Sequence, residues 1–167
     1  MLTKERIDQI ELQAKDILLS ALGEGYSSIL PIDISKVAKA LDLKLKEGVF
    51  KDENVAGAYD KAQKTIYISE NDPYTRKAFT IAHEIGHYAL HADKEQETFY
   101  RSNTILLDKE EREIEQEANM FAASLLMPKD TVTRFFHVMK NVERLADLFG
   151  VSNSSMSWRL KNLGLTE

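Results

Sequence analysis

From Thr3 to Leu22 the apolar residues Ile7, Ile10, Leu12, Ala14, Ile17, Leu18 and Ala21 recur near a helical period, and Gly23 and Gly25 end that run. A second helix, capped by Asp33 or Ser35, passes through Val37, Ala38 and Leu41. Leu43-Lys44-Leu45-Lys46 alternates and predicts a strand. Val55 to Tyr59 and Thr65 to Ile68 predict a β-hairpin around the polar turn Asp60 to Lys64. Pro73 to His91 carries Phe79, Ala82, Ile85 and Ala89 at helical spacing with no proline inside. Residues 92–107 show no clear period and read as loop. Asp108 to Met127 is a strong helix stopped by Pro128, and three shorter helices follow over 129–139, 141–149 and 153–162. The expectation is an α+β fold with a small antiparallel or mixed sheet and helices packed around it.

The third helix holds the chemistry: His83-Glu84-Ile85-Gly86-His87. Residues four apart on a helix share a face, so His83 and His87 can offer their imidazoles to one metal ion. Glu84, one step round, is placed to act as general base on a water at that ion. Two histidines satisfying core polar groups would be the bland alternative, and it leaves Glu84 unexplained.

Composition narrows the choice of metal and compartment. At 167 residues, 43% hydrophobic and 29% charged, the chain is expected to form one domain: a helix over 1–30, a catalytic core over 31–128 and C-terminal helices over 129–167. It has no cysteine, so disulfides and thiolate ligands are excluded and zinc would be held by His and carboxylate. Met1 to Ser20 is charged throughout and shows no secretion signal, and no apolar run reaches the length of a membrane span. A cytoplasmic location without membrane attachment is expected. The net charge of −5 argues against a protein that binds nucleic acid over its whole surface.

A zinc hydrolase takes three protein ligands and keeps one position for water. The helix over 108–127 offers Glu110, Glu111, Glu113, Glu115 and Glu117, with an apolar face set by Ile114, Ala118, Phe121 and Leu125. Glu110 and Glu113 read as solvated. At about 100° per residue Glu111, Glu115 and Glu117 all lie near the apolar face, so periodicity leaves three candidates. Asn119 favours Glu115: it stands one turn later on the same edge, where its amide could orient a ligand. A solvated helix face is the better reading of Glu117.

Taken together, His83-Glu84-Ile85-Gly86-His87, Glu115-Gln116-Glu117-Ala118-Asn119-Met120-Phe121-Ala122-Ala123 and Leu125-Leu126-Met127-Pro128 closely resemble the ImmA/IrrE family of zinc metallopeptidases. So do Leu148-Phe149-Gly150-Val151-Ser152, Met156, Arg159-Leu160 and Leu163-Gly164-Leu165, and the resemblance runs from about Asp33 to Leu165. It implies a metal-binding helix and a second Glu-bearing helix packed on the sheet, with a C-terminal helical segment. It also implies one zinc ion per chain on His83, His87 and Glu115, with Glu84 as the catalytic residue. Members of the family are bacterial or phage-encoded and act on helix-turn-helix repressors of mobile elements or stress operons. The implied partner is therefore a protein substrate, a helix-turn-helix repressor.

Other residues could assist. His91 stands four residues after His87 but about 12 Å along the axis from His83, too far for the three to share one ion, and reads as a helix-end histidine. Tyr59, Tyr88 and Tyr100 are candidate oxyanion donors with core packing as the alternative. Val55 to Tyr59 could be a sheet edge that binds extended substrate, with Gly57 allowing close approach, or an interior strand.

A rival reading takes Asn141 to Leu165 as a helix-turn-helix, with Gly150 in the turn and Ser152 capping its second helix, and makes the zinc site structural. Residues 141–165 hold only Arg144, Arg159 and Lys161 against Glu143 and Asp147. That is too little positive charge for phosphate contacts, so direct nucleic-acid binding is not expected and the segment reads as packing or a surface for substrate. A protein that keeps the site but only sequesters its partner would have no use for Glu84.

Overall fold

The computed structural model describes residues 2–52, 55–92, 98–100 and 108–167. Helix α1, Lys4–Leu22, starts where the Thr3 side chain accepts the Arg6 amide and ends at Gly23, whose φ of 79° suits a residue without Cβ. Ile10, Ala14 and Leu18, four apart, are its buried stripe. A 3-10 turn, Glu24–Ser28, leads to α2, Ile34–Ala40, and the cap is Asp33, which accepts the Lys36 amide. Strand β1 is Lys44–Gly48, and the hairpin strands are β2, Gly57–Asp60, and β3, Thr65–Ser69. The hairpin turn is held by Asp60, whose carboxylate accepts the Gln63 amide at 2.9 Å.

Four strands lie in the order β1-β3-β2-β4, with β1 parallel to β3 and the other pairs antiparallel. The fourth, β4, is Thr98–Tyr100, inside the stretch expected to be loop. Three residues show no period of their own; what makes them a strand is pairing with Ala58 to Asp60, a non-local contact. Because β4 covers its outer side, β2 is interior, not the free edge that a substrate could join. The remaining residues of 93–97 and 101–107 lie outside the described ones.

The sheet rests on α3, Tyr74–Leu90, and α3 on α4, Lys109–Leu126. Asp108 and Glu111 cap α4 reciprocally: the Asp108 carboxylate accepts the Glu111 amide and the Glu111 carboxylate accepts the Asp108 amide, both at 2.9 Å. Helices α5, Lys129–Met139, α6, Val142–Phe149, and α7, Asn153–Asn162, close the chain. Gly150, at φ 64°, turns α6 towards α7, and Ser152 caps α7. One core joins all the layers, from Ile10 and Leu18 through Ile66, Ile85 and Phe121 to Leu145 and Leu160.

Two glycines set the spacing around α3. A Cβ on Gly86 would stand 3.1 Å from both Cα and O of Ala118, so a larger residue would hold α4 away. A Cβ on Gly57 would stand 2.2 Å from Thr80 Cγ2 and 3.3 Å from Glu84 Oε1, so β2 lies directly on the helix. The close approach expected of Gly57 is thus to the protein's own helix.

Candidate metal centre

The contact between Gly86 and Ala118 brings α4 close enough for Glu115 to reach the histidines of α3. His83 Nε2 and His87 Nε2 are 3.1 Å apart; Glu115 Oε2 is 3.4 Å from the first and Glu115 Oε1 3.2 Å from the second. These donor atoms form the metal-capable His83, His87 and Glu115 cluster found among the described residues. Four ligands at about 2.0–2.2 Å from a tetrahedral ion stand roughly 3.3–3.6 Å from one another, and this triangle nearly has that size.

The hydrogen bonds on the far side of each ring explain why a cation fits. His83 Nδ1 is 3.0 Å from Asn119 Oδ1, an acceptor, so Nδ1 carries the proton and Nε2 a lone pair. His87 Nδ1 is 3.2 Å from His91 Nδ1, and His91 Nε2 is 3.1 Å from Glu117 Oε2. Glu117 only accepts, so the His91 proton is on Nε2; His87 then donates from Nδ1 and its Nε2 also carries a lone pair. Two lone pairs and a carboxylate facing one another at such distances repel unless a positive ion lies between them.

The electrostatics agree. Burial pushes the His87 pKa down, against the raising pull of Glu115, and so favours the neutral form that ligates. Burial alone would raise the Glu115 carboxyl, but hydrogen bonds and positive charge from His83 and His87, when their Nε2 atoms are protonated, outweigh it and hold the group well below the ordinary carboxylate range, so this carboxylate answers to positive charge at the Nε2 positions. Glu84 is fully buried, with its carboxylate beside β2 at Gly57 and on the neighbouring face of the same helix turn as His83.

Of the three glutamates that periodicity allowed, Glu115 is the one in the cluster. Glu111 is occupied in the capping box. Glu117 is neither ligand nor solvated: Arg6 Nε and Nη2 each bond one of its oxygens at 2.7 Å, and His91 bonds it from the other side. Asn119 orients His83, as its place on the helix suggested it could orient a ligand. His91 is at the end of α3, as expected, but is buried and bonded to His87. Its signal was the continued spacing of four from His83 through His87. Tyr59 and Tyr88 meet edge to face with ring centroids 6.0 Å apart, which is the packing role. The Tyr100 side chain lies outside the described residues.

Beside the cluster runs a cleft of about 830 Å³, lined by Phe79, Asn119, Met120, Ser155 and Trp158 among others. Phe79 is a turn before His83, with ring centroids 6.4 Å apart, so the cleft and the cluster adjoin. Its far wall is α7, the helix that the rival reading would place in DNA. Arg159 of that helix is fully buried, bonding Met127 O and both oxygens of Glu11, so it has no phosphate to meet.

Two helix-borne imidazoles and a carboxylate from the adjoining helix, with a glutamate next to the first histidine, are the arrangement that metallopeptidases of the His-Glu-x-x-His class use. Comparison with known proteins makes this more particular. Residues 38–161 match the family described as IrrE N-terminal-like domain, Peptidase_M78, and the chain belongs to that family. It is 35% identical over 96 residues to "Uncharacterized immunity region protein 2" of Bacillus phage phi105, covering 57% of this chain and 55% of that one. It is 27% identical over 108 residues to "Metallopeptidase ImmA" of Bacillus subtilis (strain 168), covering 64% and 62%. The chain therefore spans about three fifths of the length of these relatives. A solved structure titled "Mycobacterium tuberculosis transcriptional regulator" superposes with a TM-score of 0.70 at 16% identity, over 94% of this chain and 49% of that one, a likeness of fold. No helix among the described residues is long and apolar enough to cross a membrane.

Proposed function

We propose that this chain is a zinc metalloendopeptidase, with His83, His87 and Glu115 as ligands and Glu84 as the catalytic base. The observation that carries the proposal is the convergence of two imidazole lone pairs and one carboxylate, with a buried glutamate on the adjacent face. Zinc bound there would supply Lewis-acid activation of water and of the scissile carbonyl. Glu84 accepts the proton of the attacking water and returns it to the leaving amine. Asn119 and His91 hold the two imidazoles with Nε2 turned toward the cluster. The cleft between α4 and α7 takes an apolar side chain of the substrate next to the scissile bond.

The substrate in this proposal is a helix-turn-helix repressor. Support comes from the family's association with such repressors and from likeness to a phage immunity region protein. Glu84→Gln is the test: zinc content should stay near one per chain, cleavage of a co-expressed candidate repressor should stop, and the uncut repressor should co-purify. Full cleavage by Glu84→Gln would refute the role of Glu84. Zinc-replete wild-type protein that binds the repressor and never cuts it would leave sequestration as the function.

A further inference from the structure

The ion pair between Arg6 and Glu117 connects α1 to the metal cluster, although α1 precedes the segment that matches the family. We propose that Arg6 is a positioning residue for the metal centre, acting through Glu117 and His91 to hold His87 in ligating orientation. The inference rests on the reading of His83, His87 and Glu115 as metal ligands, and it assigns a role to a residue outside the matched domain.

The chain of contacts is continuous. Arg6 grips both oxygens of Glu117 at 2.7 Å, a forked geometry that fixes the plane of the carboxylate as well as its charge. Glu117 Oε2 lies 3.1 Å from His91 Nε2, and His91 Nδ1 lies 3.2 Å from His87 Nδ1. Only one proton fits between those two Nδ1 atoms. Since His91 gives its Nε2 proton to Glu117, the shared one belongs to His87, and His87 Nε2 is left to face Glu115 and His83. Turning the Glu117 carboxylate would release the His91 ring and, with it, the partner that sets the orientation of His87. Each contact repeats what Asn119 does directly for His83, at a greater distance from the ion.

A purely mechanical role, fastening α1 to α4, is the competing explanation, and the structure supplies its control. Glu11 on the same helix bonds the buried Arg159 of α7 at 2.6 and 3.0 Å, fastening α1 without touching the metal cluster. Glu11→Gln should therefore lower stability and leave metal affinity as it is.

The experiment measures the zinc dissociation constant by competition with a chromophoric chelator, and the visible spectrum of the cobalt-loaded protein, in full-length variants. Arg6→Met should weaken zinc about tenfold and His91→Phe ten- to a hundredfold, with altered cobalt bands in both. The double variant should be no weaker than His91→Phe alone, because both act along one path. Arg6→Lys, which presents one point charge in place of a fork, should fall between Arg6→Met and wild type. The proposal is overturned if Arg6→Met changes zinc affinity no more than Glu11→Gln does, or if the losses from Arg6→Met and His91→Phe multiply. Failure of wild type to bind zinc would overturn the ligand assignment together with it; normal wild-type binding with an inert Arg6 would overturn this inference alone.

Discussion

Replacing Gly57 by alanine should be among the more damaging single-methyl additions in this protein. The new Cβ would lie 2.2 Å from Thr80 Cγ2, about 1.5 Å inside an ordinary carbon–carbon contact, with the Tyr67 carbonyl oxygen at 3.2 Å behind it. Thr80 is fully buried on a helix, where its χ1 is confined to two rotamers, so its methyl has little room to swing clear. A 2.2 Å clash stands at the upper end of overpacking costs, about 3 kcal/mol, and the loss of glycine's unfolded-state freedom returns about 0.4–1, which leaves a net loss of roughly 2 kcal/mol. With a denaturant slope of about 2 kcal/mol per molar, the urea midpoint of the metal-free protein should drop by about 1 M. Thr80→Ser removes the opposing methyl and alone costs about 1 kcal/mol. In the double variant the alanine methyl occupies the space that Cγ2 left, so the double should be more stable than Gly57→Ala alone. An unchanged midpoint for Gly57→Ala, or a double variant with the two losses summed, would refute this account of how β2 lies on the metal helix.

Other expectations follow from the hydrogen bonds and the cleft. Asn119→Ala should leave His83 free to rotate and weaken zinc ten- to a hundredfold by chelator competition; unaltered affinity would remove Asn119 from the site. Arg6, by hydrogen bond and charge, holds the Glu117 carboxyl below its ordinary 4.5, so Glu117 stabilises the fold above that pH and the contribution is lost as pH falls through its lower folded value. The difference in urea midpoint between wild type and Glu117→Gln should thus be present at pH 7 and shrink below pH 4.5. Trp158, the one tryptophan, is 46% exposed in the cleft, so a bound peptide should shift its emission in the Glu84→Gln background. Trp158→Ala should raise KM far more than it lowers kcat, and an equal KM would place the substrate elsewhere.

Local signals told most about the elements and the candidate ligands. His83 and His87 share a helix face because their spacing demands it, and Asp33 and Ser152, two residues whose side chains can accept a backbone N–H, begin helices as expected. Periodicity left Glu111, Glu115 and Glu117 open, since all three flank the apolar face of α4, Glu111 and Glu115 on one side and Glu117 on the other. What separates them is tertiary: Gly86 against Ala118 sets the distance between the helices, a capping box holds Glu111, and a residue over a hundred positions away holds Glu117. Strand β4 was missed for the same reason, since three residues carry no period and their pairing partners lie some forty positions earlier. His91 was placed correctly at a helix end, but its partner on α4 could not be read from α3. Arg6 gave no signal at all, being one of many charges on an amphipathic helix.

The proposed function requires one zinc ion on His83, His87 and Glu115. Diffraction from crystals grown with equimolar zinc, recorded on both sides of the zinc absorption edge, tests it most directly. One anomalous peak per chain is expected, about 2.0–2.2 Å from His83 Nε2, His87 Nε2 and a Glu115 oxygen. A peak held instead through His91 and Glu117, or none near α3, would contradict it.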